Sequence, residues 1–431
     1  MTSTAIRPKR VSSLRSLAVL ALMYAAFISL GLPDSLLGAS WPVMQPDFGV
    51  PYGLAGVASM VVAVGTIVSS FNGGLLVQRL GAGALTRISV AMTATALCGF
   101  SLAPSFGWLL VFAVPLGLGA GAVDAALNHF VATHYKAHHM NWLHSFWGVG
   151  AMTGPVIVAR FIAGGGSWRD GYLAVSLIQG FLVALLLAAI PLWREIEGRK
   201  PLPPGEGDGP KRDDQHGETG QREGAGILGP RPGLRSVYRL PGATYAMLTF
   251  LMYAGVETTM GLWGSSFLVK ARSFGAVDAA FGVSLFYGSL TAGRILSGFA
   301  SMRVSGEWMI RASLIVILAG AAHLVFSSPS AAATLLGFAL VGLGCAAIFP
   351  MMLHLTPQRF GARWAPVMMG AQMGTAYTGA MFLPPAFGFG TERIGLWILP
   401  FAILIFTAGM LICTERLNAL GAADKLEHAV R

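Results

Sequence analysis

Charge is scarce in this chain. Asp and Glu number 19 and Lys and Arg 29 among 431 residues, so charged side chains make up 11% of the sequence, against about 25% in an ordinary soluble domain. That shortage excludes a typical water-soluble surface. Cysteine is scarcer still. Cys98, Cys345 and Cys413 each lie inside an apolar run, with no spacing that suits a disulfide framework or a metal site, and they read as small buried hydrophobes. Short segments of alternating polarity, the mark of a membrane β-barrel, are missing as well. Neither a metal nor a cofactor is expected.

Apolar sequence is what the chain has in quantity: 54% of residues are hydrophobic and the mean hydropathy is +0.64. A spanning helix needs roughly 20 apolar residues, and such stretches follow one another almost end to end. The composition implies an all-α integral membrane protein whose main partner is the lipid bilayer. Arg7, Lys9, Arg10 and Arg15 precede an apolar stretch in the manner of a signal peptide, but that stretch continues to about Trp41. A cleaved apolar region is only about 7–15 residues long, so a retained first helix is expected.

About twelve helices are predicted, near 17–42, 53–75, 84–104, 106–133, 142–163, 171–193, 242–268, 280–301, 311–327, 332–355, 364–388 and 395–415. An even number puts both termini on one side, and Lys and Arg decide which side that is. With cytoplasmic termini, 23 of the 29 fall in cytoplasmic segments; Arg169, Lys270, Arg272 and Arg393 face outward, and Arg160 and Arg294 lie within helices. The net charge of +10 is therefore a topology signal rather than a sign of nucleic-acid binding. The expected location is a bacterial-type inner membrane.

Residues 194–240 are rich in Gly, Pro and charge of both signs, a composition that cannot bury a core. They are expected to form a disordered cytoplasmic linker. The chain then divides into a tail (1–16), a six-helix bundle (17–193), the linker (194–240), a second six-helix bundle (241–415) and a second tail (416–431). The bundles repeat one another at an offset near 225 residues. Gly74-LLVQ-Arg79 with Arg87 matches Gly298-FASM-Arg303 with Arg311, GLGAGA from Gly117 matches GLGCAA from Gly342, and His129 falls opposite His354. Gly56 with Gly282 and Thr153-Gly154 with Thr378-Gly379 extend the series. Parallel halves with a solute site between them are a transporter architecture.

The run GLLVQRLGAGALTR, from Gly74 to Arg87, resembles the cytoplasmic signature loop of the major facilitator superfamily. Gly74, Arg79 and Gly81 fit that pattern, while Gln78 stands in place of its acid. Within the superfamily the chain is most similar to the fucose–proton symporter (sugar permease) family. GLPDSLLGASWP places Asp34 in the first helix, and VDAALNHF places Asp124, Asn128 and Phe130 in the fourth. Asp124 replaces that family's Glu, His129 a Pro, and Trp147 an Asn. The resemblance implies a major facilitator fold, with proton-coupled uptake of a small polar solute, a sugar.

Of 19 acids, Asp34, Asp124 and Glu257 lie at membrane depth, where an ionised side chain costs about 2.5–3.5 kcal/mol on insertion scales. Packing does not account for them. A carboxyl out of water holds a proton more tightly and releases it when water or solute arrives, which is the chemistry of proton coupling. Superposing the halves puts Glu257 opposite Asp34. Arg294 either pairs with an acid or a carbonyl at the interface between halves, or binds an anionic solute; Arg79 and Arg303 are assigned to the same interface or charge-pairing group. Asn128, His144 and Gln372 supply hydrogen-bonding groups, and Trp147, Trp263 and Tyr377 supply aromatic surface for a solute. Trp41, Tyr253 and Tyr287 are further aromatic candidates.

Other readings stay open at this stage. HYKAHH (His134–His139) is similar to one histidine box of membrane di-iron enzymes, but that chemistry needs several boxes, and His129, His144, His323 and His354 are isolated. A transporter, not an enzyme, is expected. Embedded acids serve export as well as uptake, so a proton-coupled exporter of drugs or metabolites is the alternative carrier. A monomer suffices for this architecture.

Overall fold

The computed structural model describes residues 13–135, 137–197, 237–327, 330–361 and 363–430. Most of the expected linker and most of the amino-terminal tail lie outside the described residues. Among the described residues every regular element is helical. The first half contains α1 (Ser13–Phe48), α2 (Leu54–Leu80), α3 (Ala82–Leu102), α4 (Phe106–His134), α5 (Ala137–Ala163) and α6 (Trp168–Ala188). A short α7 (Ile190–Glu197) follows. The second half contains α8 (Ala243–Arg272), α9 (Ala276–Ala300), α10 (Gly306–Phe326), α11 (Ala331–Cys345), α12 (Ile348–Phe360), α13 (Ala365–Ile394) and α14 (Leu399–Val430).

Among the described residues ten stretches are long and apolar enough to span a bilayer, with α11 and α12 counted as one. The helices α8 and α13, 30 residues each, have the length but are more polar. Together they make the twelve spans of a multi-pass membrane protein. The tenth span, expected to be continuous over 332–355, breaks at Ala346–Ala347. Pro350 has no N–H to return to the carbonyl four residues back, so the helix has to restart there. The polar segment also begins later than 194. Helix α7 runs on to Glu197 because Trp193 buries its ring beside Phe130, 5.4 Å between centroids, and Glu195 takes Arg15 at 3.0 Å.

The two halves pack alike. In the first, α1 lies on α5, α2 on α4, and α3 on α4 and α6; in the second, α8 lies on α13, α9 on α11, and α10 on α11 and α14. This repeated pairing is the structural counterpart of the sequence repeat. Between halves, α1 meets α8 and α9, α2 meets α13, and α5 meets α9.

Prolines shape the helices that line this interface. Pro33 withholds an N–H from the Ser29 carbonyl, and the Gln179 amide of α6 donates to that oxygen instead at 2.7 Å, itself held by the Thr93 hydroxyl at 2.8 Å. Pro155 likewise frees the Ala151 carbonyl, which takes the Ser35 hydroxyl at 2.7 Å. Orphaned carbonyls in a membrane must find donors within the protein. Asp34 therefore sits on a stretch of α1 pinned from α6 on one side and α5 on the other.

One end of the interface is drawn together. There Ser265 donates to the Ala39 carbonyl at 3.2 Å and Ser284 to the Met152 carbonyl at 2.8 Å. Gly38 makes the approach of α1 to α8 possible, since a Cβ at that position would collide with the Gly261 carbonyl. This closed end bears the turn at Gly49–Gly53; the opposite end bears Arg79 and Arg303.

Candidate functional site

Asp34 is exposed although α5, α8 and α9 flank it, so it borders water-accessible space between the halves. Its Oδ2 accepts the Trp147 indole N–H from α5 at 2.7 Å. Gly31 allows this, because any side chain there would strike the Trp147 carbonyl. The same indole then reaches the second half. The Arg294 guanidinium of α9 lies 5.3 Å from its ring centroid, and Tyr287 meets it edge-on at 6.2 Å. One aromatic ring thus touches both halves, with a carboxylate on its edge and a cation on its face.

Arg294 faces Glu257 of α8, Nη2 to Oε1 3.6 Å, with side chains only 18% and 15% exposed. That is an ion pair longer than a charge-assisted hydrogen bond of about 2.7–2.9 Å. Tyr253, Tyr287 and Cys345 surround it. Asp34 lies within electrostatic range of both Glu257 and Asp124. Asp34 is thus coupled to two further carboxyls, one of which, Glu257, faces the guanidinium, in a setting where charges are poorly screened. Such a cluster favours a cation, and the smallest is a proton.

Asp124 and Asn128 occupy successive turns of α4, and the Asn128 amide donates to Asp124 Oδ1 at 3.0 Å. Asn128 Oδ1 is buried with no hydrogen-bond partner among the described residues, an acceptor open to a hydroxyl. Tyr377 of α13 approaches Ser70 and Asp124 from the other half. His144 is exposed, rests edge-on against Phe27 at 5.6 Å and feels the charge of Arg294. The predicted residues Asp34, Asp124, Asn128, His144, Trp147, Glu257, Arg294 and Tyr377 therefore converge on one region.

Five predicted residues lie elsewhere. Trp263 is fully buried at the closed end, where its N–H donates to the Pro384 carbonyl at 2.8 Å and its ring stacks on Tyr52; it is packing, not solute wall. Gln372 is 1% exposed, and its Oε1 accepts the Thr356 hydroxyl at 2.9 Å, tying α13 to α12. Arg79 and Arg303 are exposed at equivalent helix ends and form no ion pair among the described residues; Gln78, standing where the signature loop has its acid, offers no negative charge. Trp41 is fully buried, donating to the Tyr52 carbonyl at 2.9 Å.

No group of three or more His, Cys, Asp or Glu gathers as a metal site among the described residues. His139 meets the Tyr24 hydroxyl at 2.7 Å; the side chains of His134 and His138 are outside the described set. Cys345, expected to be a small buried hydrophobe, is fully buried in the core and also borders the ion pair. Sequence reasoning missed Glu392, an exposed acid in the last turn of α13 that accepts the Gly53 N–H of the other half.

Comparison with known proteins agrees with this fold. The sequence profile of the Major Facilitator Superfamily matches residues 22–385. The chain is 22% identical over 280 residues to Bypass of stop codon protein 6 of Saccharomyces cerevisiae, covering 64% of this chain and 56% of the yeast protein. It is 23% identical over 339 residues to the glucose/mannose transporter GlcP of Bacillus subtilis, covering 77% and 78%. Among solved structures it resembles a bacterial homolog of the human lysosomal transporter Spinster in an inward-facing and occupied conformation. That likeness has a TM-score of 0.70 at 14% identity and covers 96% of this chain and 98% of that one. The nucleoside transporter NupG superposes with a TM-score of 0.70 at 13% identity, covering 94% and 99%.

Proposed function

This chain belongs to the Major Facilitator Superfamily, and from that membership we propose that it carries a small polar solute, a sugar, by proton-coupled symport with alternating access. It is a transporter and not an enzyme. The observation that carries the finer reading is the placement of Asp34. This carboxyl is reachable by water, held by Trp147, and linked through that ring to the Glu257–Arg294 pair of the other half. A proton arriving at Asp34 removes a negative charge from a crowded cluster and lowers the cost of reorienting the loaded site.

For the solute, the region offers the unpartnered Asn128 Oδ1, the exposed His144 and the Tyr377 ring. Oxygen acceptors beside aromatic surface suit a polyhydroxylated ring. The likeness to a glucose/mannose transporter supports the same class. We place both termini in the cytoplasm on the Lys and Arg distribution, which makes the closed end the outer one and Asp34 accessible from inside.

The test uses lightly buffered cells with an external pH electrode and a panel of hexoses, deoxyhexoses and other polar metabolites. Alkalinisation on adding one solute, lost in Asp34→Asn, supports symport and identifies the class. Silence across the panel, with solute leaving preloaded vesicles under an inward proton gradient, would replace this reading with a proton-coupled exporter.

A further inference from the structure

The closed end carries a contact that the central site does not use. Gly49 takes φ +63° and turns the chain from α1 toward α2, and the residues after it enter the interface. Within their own half they are tied twice. Gln45 donates to the Val50 carbonyl at 2.6 Å, and Trp41 donates to the Tyr52 carbonyl at 2.9 Å. Three groups of the second half then meet them. The Tyr52 ring stacks on Trp263, 6.2 Å between centroids and 29° between planes, while Lys270 Nζ lies 5.5 Å from the Tyr52 centroid. The Gly53 N–H donates to Glu392 Oε1 at 2.8 Å.

Glu392 belongs to the last turn of α13, and Gly53 is the residue at which α2 begins. No side chain of the Gly53 end caps α2 locally. The amino-terminal end of a helix attracts negative charge, and here that charge comes from the opposite half. Glu392 is also exposed, so its other oxygen stays with solvent while one oxygen bridges the halves.

We propose that Glu392 is the latch of the closed end, capping α2 across the interface and holding that end shut until the halves rock apart. The inference rests on alternating access, and on neither the solute nor proton coupling. A single charge-assisted hydrogen bond from a buried N–H to a carboxylate on an exposed residue is a weak restraint, because water replaces both partners when it opens. A weak restraint suits a contact that must break in every cycle: it biases the equilibrium by roughly three- to tenfold rather than locking it.

The experiment measures distances between spin labels at Ser105→Cys and Ala331→Cys, exposed positions on the two halves at the closed end, after Cys98, Cys345 and Cys413 are replaced by alanine. Glu392→Ala is expected to raise the population open at that end by roughly fivefold. Glu392→Gln, which keeps an acceptor oxygen but loses the charge, should raise it less, and Arg393→Ala, an exposed charge next to the latch, should leave it unchanged. The proposal is overturned if Glu392→Ala and Glu392→Gln both give the parent distribution, or if Arg393→Ala shifts it as far as Glu392→Ala does. The readout needs no transported solute, so its failure is separable from failure of the sugar–proton reading.

Discussion

Glu257→Gln gives the sharpest test of the central ion pair. The mutation leaves Arg294, only 18% exposed, facing a neutral amide across 3.6 Å. Removing one partner of a fully buried pair costs about 3–5 kcal/mol; the residual exposure and the long separation reduce that to about 2–3 kcal/mol here. Arg294→Met removes the cation and also its contact with the Trp147 ring, itself worth about 0.5–2 kcal/mol. The double variant leaves no stranded charge, so its cost should fall below the sum of the single costs by about 2 kcal/mol. In thermal unfolding of detergent-solubilised protein, a chain of this size loses on the order of 1–2 °C per kcal/mol. Glu257→Gln should then lower the midpoint by about 2–6 °C, and the double variant should recover about 2–4 °C of the summed loss. Single effects that add to within about 0.5 kcal/mol would refute the pairing.

Other consequences follow from the same geometry. Asp34→Asn and Asp124→Asn should each abolish pH-driven accumulation, and both still concentrating solute against its gradient would sink the coupling role of these carboxyls. Trp147→Phe keeps a ring beneath Arg294 but deletes the N–H that Asp34 accepts at 2.7 Å; accumulation should fall about three- to tenfold with the protein still folded, as near-UV dichroism can verify. Asn128→Leu removes the unpartnered acceptor and should raise the KM for a hydroxylated solute about five- to tenfold, the effect of one hydrogen bond. Gly38→Val sets a branched side chain against the Gly261 carbonyl; accessibility of a cysteine placed at the closed end should increase, and an unchanged labelling rate would contradict that contact.

Much of this was legible in the sequence, for identifiable reasons. Helices in lipid must satisfy their own backbone, so hydropathy alone placed most span ends to within about six residues, although the last helix runs on to Val430 through the expected tail 416–431; the shortage of charge made Asp34, Asp124, Glu257 and Arg294 conspicuous. The break in the tenth span was less visible, since Pro350 lies inside an otherwise uniform apolar run. Aromatic residues were the hardest to assign. Trp147 and Trp263 look alike in a sequence, yet one indole meets a carboxylate in the interface and the other a backbone carbonyl in a packed seam. Which partner an indole finds depends on the prolines and glycines of neighbouring helices, Pro384 for Trp263 and Gly31 for Trp147. Local sequence carries no record of that. Glu392 stayed hidden for the same reason, because its partner Gly53 lies 339 residues away.

The most direct measurement uses purified protein in sealed vesicles with an inward proton gradient as the sole energy source. The account predicts that the solute found in the panel concentrates inside wild-type vesicles, and that dissipating the gradient releases it. Asp34→Asn vesicles should only equilibrate. Wild-type vesicles that merely equilibrate the solute, or that expel it as protons enter, would contradict proton-driven uptake.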